Sequence, residues 1–196
     1  MKKRWNKKGV GVDQVFIFII TALTFALITI FGYKAIAGFL DKGEEVAFIQ
    51  FKNDLEIAVK QINTEFGAYR LEEFSPPQQS EKICFVNMDY GKGPPIDGEI
   101  KAEVILALTT EMPTAVGVYE DAIGKEGYNS AEENVFLQPE APVKIKVHRI
   151  QLYNPGTETE VAFLCPKIQG GVFHLGLEGR GDRTRLTIPA LIEEQE

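Results

Sequence analysis

The chain is poor in the residues that do chemistry. Its 196 residues include two cysteines, two histidines and one tryptophan, and serine occurs only at 75, 80 and 130. No Cys-x-x-Cys or His-x₃-His spacing brings Cys84, Cys165, His148 and His174 into a zinc-ligand pattern, so no metal is expected. The serines stand in polar, turn-like surroundings without a nucleophile motif, and acid pairs such as Glu72-Glu73 and Glu132-Glu133 read as solvated surface. No catalytic residue and no cofactor is therefore expected. There is no Asn-x-Ser/Thr sequon. Proline is absent between Val10 and Gly67, which removes the commonest helix breaker from that stretch.

Positive charge is scarce everywhere except at the start. Lys2, Lys3, Arg4, Lys7 and Lys8 fall within the first eight residues, and the remaining 188 hold 16 basic and 28 acidic residues, a net of −12. A body this acidic repels nucleic acid, so no nucleic-acid partner is expected.

What the chain does have is an uncharged apolar run over residues 15–33, softened only by Thr21, Thr24, Thr29 and Gly32. As a helix it reaches about 28 Å, close to the hydrocarbon thickness of a bilayer, so membrane lipid is the first expected partner. The basic cluster lies before the run, which predicts a cytoplasmic N-terminus and an exported body. A removable secretory signal is the alternative, with Ala35-Ile36-Ala37 as a small-x-small site. The run is longer than the usual apolar region of such signals.

Beyond the run, Phe48, Phe51, Leu55, Ala58, Ile62 and Phe66 recur at spacings of three and four, the period of one helical face. The spacing predicts one helix over residues 13–66, apolar first and amphipathic later, with Gly67 as its C-cap. Phe48, Phe51, Leu55, Ile62 and Phe66 are expected to seat the rest of the chain.

After Gly67 the pattern becomes mostly β. The segments YRLEEF, EKICFVN, NVFL, VKIKV, EVAFLC, GVFHLGLEG and RTRLTI read as strands. Residues 100–108 fit either a strand or a helix, and residues 113–123 read as a helix with Val116, Tyr119 and Ile123 on one face. A bulge is expected at His148-Arg149 and a Pro-Gly turn within Asn154–Thr157. Arg180-Gly181-Asp182 matches an adhesion tripeptide, but its position between two strands predicts a hairpin turn. In an exported domain the even pair Cys84 and Cys165 predicts a disulfide. The expected fold class is α+β: a long N-terminal helix packed on a C-terminal antiparallel sheet or sandwich. The expected divisions are a basic cytoplasmic leader (1–12), the helix (13–66), an extracytoplasmic β-rich domain (67–192) and an acidic tail (193–196).

A basic leader ending in glycine, then an apolar helix that turns amphipathic, then a β-rich head resembles type IV pilin-like proteins with an archaeal-type class III signal peptide. The resemblance implies a prepilin-type peptidase as a partner, cutting after Gly9 to leave Val10 first, or after Gly11 to leave Val12 first. It implies that Asp13 and Gln14, near the new terminus, serve assembly. It also implies a homo- or hetero-oligomer of similar subunits joined through the N-terminal helices in a surface filament. The segments VFIF, FGYKAI, ICFV and NVFL are similar also to single-pass archaeal surface proteins. These imply the alternative, an uncleaved anchor carrying a binding or envelope-structural β domain.

Overall fold

The computed structural model describes residues 12–77, 80–91, 98–154, 157 and 159–189. The cleavage candidates Gly9, Val10 and Gly11, the Pro155-Gly156 turn and the acidic tail lie outside the described residues. Helix α1 spans Val12–Asn63, 52 residues; the side chains of Val12, Asp13 and Gln14 lie outside the description. The chain divides into two compact units, residues 1–44 and residues 45–196.

In the first unit α1 carries no charged side chain on any side over residues 15–33. Residues Val15–Ile36 have a mean hydropathy of 2.6, and none of this stretch is buried against protein. It has the length and composition of a membrane span or of a signal sequence. Its threonine hydroxyls are already satisfied: Thr21 donates to the Ile17 carbonyl at 2.8 Å, Thr24 to Ile20 at 2.8 Å and Thr29 to Phe25 at 2.9 Å. Such back-bonding leaves none of these three hydroxyls to be satisfied by the surroundings.

The second unit contains two sheets. One has five strands in the order β1-β7-β8-β4-β5, where β1 is Tyr69–Phe74, β7 Phe173–Gly179, β8 Thr184–Thr187, β4 Ile150–Tyr153 and β5 Glu160–Val161. The other has three in the order β3-β2-β6, where β3 is Val135–Gln138, β2 Lys82–Val86 and β6 Phe163–Leu164. Helices α2 (Gly98–Glu111) and α3 (Pro113–Ile123) complete the unit. The segment at 100–108 is thus helical, and Pro113 occupies a first-turn position of α3, where its missing N–H costs nothing.

The apolar pattern explains the layering. In β2 and β3, Ile83, Phe85, Val135 and Leu137 enter one core cluster, while Cys84, Val86 and Phe136 enter a second. Strands apolar on both faces need cover on both faces, so this small sheet is the middle layer. On one side lie Phe48, Phe51, Leu55, Val59 and Ile62 of α1 with Phe173, Leu175, Leu177, Leu186, Ile150 and Leu152 of the large sheet. On the other lie Val104 and Leu108 of α2 and Ala115, Tyr119 and Ala122 of α3. The buried face of α3 therefore centres on Ala115, Tyr119 and Ala122, with Val116 and Ile123 flanking it.

Several sequence expectations are corrected. Helix α1 ends at Asn63, so Gly67 is not its C-cap; Gly67 takes φ 78° and turns the chain into β1. Phe66 falls in that turn and is 77% exposed, so it does not belong to the seating stripe. The helical period fails there because the helix has already stopped. The large sheet is not wholly antiparallel, since β4 pairs parallel with β8 from Ile150↔Thr184 to Tyr153↔Thr187. The segment VKIKV forms a single bridge, Val135↔Ile145, rather than a strand. Asn134 takes the place of ladder bonds there: its buried side-chain amide accepts from the Val147 N–H (2.9 Å) and donates to the Val147 carbonyl (3.1 Å).

Candidate functional site

Two features of this chain look functional: the apolar stretch of α1 and the seat that the amphipathic part of α1 occupies. The seat is built from the sequence-predicted residues Phe48, Phe51, Leu55 and Ile62, all buried, together with Val59. Phe51 meets Phe173 edge-on at a ring distance of 6.2 Å, and Phe173 stacks on Phe74 at 5.5 Å. Further along, the Thr184 hydroxyl, itself buried, donates to the Val59 carbonyl at 2.8 Å. That bond ties β8 to α1 inside the core, where hydrogen bonds are costly to lose.

The turn between β7 and β8 closes the seat. Gly67 N–H donates to the Gly179 carbonyl (2.8 Å), Gly179 N–H to Ala68 (3.0 Å) and Gly181 N–H to Asn63 (2.9 Å). The last of these satisfies one of the carbonyls that a helix C-terminus leaves unpaired. Gly181 adopts φ 87°, a conformation that glycine enters without steric cost. The Gly-Arg-Gly-Asp stretch therefore caps α1. Its charged members are engaged internally: Arg180 pairs with Glu178 at 3.0 Å, and Asp182 pairs with Arg183 at 2.7 Å. Hydrogen bonding from Arg183 holds the Asp182 carboxyl below the usual carboxylate range.

Cys84 and Cys165 form a disulfide across 81 residues. The β2–β6 register, Phe85↔Leu164, puts the two cysteines at directly opposed positions one step further along. The bond pins the middle sheet on its α2–α3 side.

The remaining polar clusters are held within the unit, although the buried His148 Nδ1 has no hydrogen-bond partner among the described residues. Asp89 accepts from the Tyr128 N–H at 3.1 Å and holds the Arg149 guanidinium at 3.0 Å, while Lys146 lies 4.4 Å over the Tyr128 ring. Tyr119, pushed up to about 12 by burial and then by Tyr90, donates its hydroxyl to the Tyr90 carbonyl at 3.2 Å. Burial, followed by the nearby Glu140, raises the Glu133 carboxyl. His148 stands beside Tyr128, and His174 lies 3.8 Å from Glu73 on the sheet surface. Among the described residues no three His, Cys, Asp or Glu side chains come together.

Sequence reading missed Gly179, Thr184 and Val59. A signal existed for the first, because glycine inside a strand pattern marks a close backbone approach. Thr184 carried none, since its partner lies 125 residues away. The residues Asp13 and Gln14 share α1 with the seat stripe, but at its far end. No family model matches this chain, and neither curated proteins nor solved structures give a match.

Proposed function

We propose that the chain is a non-catalytic, pilin-like assembly subunit, anchored by α1 with its N-terminus cytoplasmic and its β-rich unit exposed outside the cell. The observation that carries this reading is the division of labour within α1. Its residues Val15–Ile36 are apolar and unburied, whereas Phe48 to Ile62 form a stripe sunk in the core. Lateral packing of such apolar helices, in lipid or in a filament core, needs no polar partner. The acidic body and the basic first eight residues support the orientation. In this reading a prepilin-type peptidase removes the leader, and Asp13 and Gln14 lie close to the new terminus.

The test is the intact mass of the protein purified from its native membrane. A mature chain beginning at Val10 or Val12, with the protein present in sheared surface filaments, is the expected result. A mass that retains residues 1–9 in a membrane fraction without filaments would overturn it. The uncleaved surface anchor would then be the better reading.

A further inference from the structure

Strand β1 is an outer strand of the five-stranded sheet, paired on one side with β7. The bond from Gly179 N–H to the Ala68 carbonyl sets the phase. By alternation Arg70, Glu72 and Phe74 bond towards β7, and Tyr69, Leu71 and Glu73 direct their N–H and C=O groups outward. Tyr69 and Leu71 are each 59% exposed. Arg70 and Glu72 line an open groove of about 800 Å³ whose other wall is α1, with Asp54, Ile57 and Gln61.

Charges on an outer strand ordinarily discourage a second edge. Here their order does the opposite. Residues 69–73 read Tyr-Arg-Leu-Glu-Glu, and this order complements its own reverse. An antiparallel copy centred on Leu71 sets Arg70 opposite Glu72, Tyr69 opposite Glu73 and Leu71 opposite Leu71. A two-fold axis normal to the sheet keeps each side chain on its own face, so Arg70, which also holds Glu65 of its own chain at 2.7 Å, meets Glu72 of the other copy on the groove side and the leucines meet on the other. The three outward-facing positions then exchange about six N–H···O bonds. Opposite charges directly across a strand pair stabilise it.

We infer that β1 is a self-complementary docking edge through which two copies of this chain join their five-stranded sheets into one. Within residues 45–196, α1 runs opposite to β1: Phe51 packs on Phe173 beside Phe74, and Ile62 reaches Gly179 beside Ala68. The pairing therefore turns the two α1 segments of residues 45–62 antiparallel to each other. It does not depend on cleavage of the leader or on filament formation.

Oxidative cross-linking of the full-length chain in detergent micelles tests it. Cys84 and Cys165 are bonded to each other and no other cysteine exists, so an introduced thiol is the reporter. Opposed residues in such a pair lie about 5.5 Å apart between Cα atoms, within disulfide reach. Leu71→Cys is expected to give a covalent dimer. Leu106→Cys, 71% exposed on α2, is expected to give none. In the Leu71→Cys background, Arg70→Glu or Glu72→Arg alone should reduce the dimer yield about tenfold by placing like charges opposite. Mixing the two variants should restore it, because every opposed pair then carries opposite charges. Equal cross-linking at 71 and 106, or no recovery on mixing, would overturn the docking edge.

Discussion

A Cβ on Gly179 would lie 2.1 Å from the carbonyl oxygen of Ile62, and 2.3 Å from that of Glu65. Both obstacles are backbone at the end of α1, so neither can swing aside. Gly179→Ala must push α1 and β7 apart, breaking the Thr184–Val59 and Gly181–Asn63 bonds with it. The expected loss is at least about 3 kcal/mol, the upper range for overpacking a filled core. Thermal unfolding of the full-length variant checks this, and a Tm within two degrees of wild type would contradict the close approach.

The seating stripe has a defined end. Phe51 and Ile62 are buried, whereas Phe66 is exposed. Phe51→Ala is expected to cost ~3–5 kcal/mol and Ile62→Ala ~2–5 kcal/mol. Phe66→Ala should stay within about 0.5 kcal/mol of wild type, as surface changes usually do. Chemical denaturation of the three variants in the same micelles ranks them. Equal, small effects at Phe51 and Phe66 would mean that the stripe contacts something other than this core.

The disulfide closes a long loop. For cysteines 81 residues apart, the chain-entropy view gives up to about 4.5 kcal/mol of stabilisation through the unfolded state. Replacing Cys84 and Cys165 together by alanine should lower Tm clearly, and adding reductant to the wild type should lower it in the same direction. A double variant as stable as wild type would show that packing of the middle sheet suffices alone.

Glu133 supplies a pH test of known sign. Burial and then the Glu140 charge raise its folded carboxyl above the usual carboxylate range, so ionisation opposes folding. The penalty is absent below the unfolded value and complete once pH passes the folded one. Glu133→Gln should therefore raise Tm at neutral pH and leave it unchanged near about pH 3.5, where both states are largely protonated. A gain that persists at low pH would assign the effect to something other than charge.

How much of this was legible in the sequence depended on distance along the chain. The segments EKICFVN and NVFL were legible as strands, and two cysteines in an exported domain foretold one bond; that Ile83–Val86 and Val135–Leu137 are covered on both faces came only from the packing. Yet YRLEEF and EKICFVN, neighbours in sequence, enter different sheets. The first alternates charge with apolar residues and takes an edge with one face open; the second needs cover on both sides. The candidate seat was readable as a stripe up to Ile62. Its last member was not, because nothing in the helical period announces a stop at Asn63.

By itself the sequence determined the apolar run of α1, the amphipathic stripe that follows it and the glycine turn at 181. Each follows from side-chain periodicity or from the stereochemistry of one residue, and these act over a few positions. Only the tertiary structure decided that β4 would lie parallel to β8, that Thr184 would reach Val59, that Gly179 would admit the end of α1 and that β1 would be left as an edge. These are pairings between segments far apart in the chain. Their outcome is set by which surfaces fill one another at close packing, a condition that no local pattern encodes.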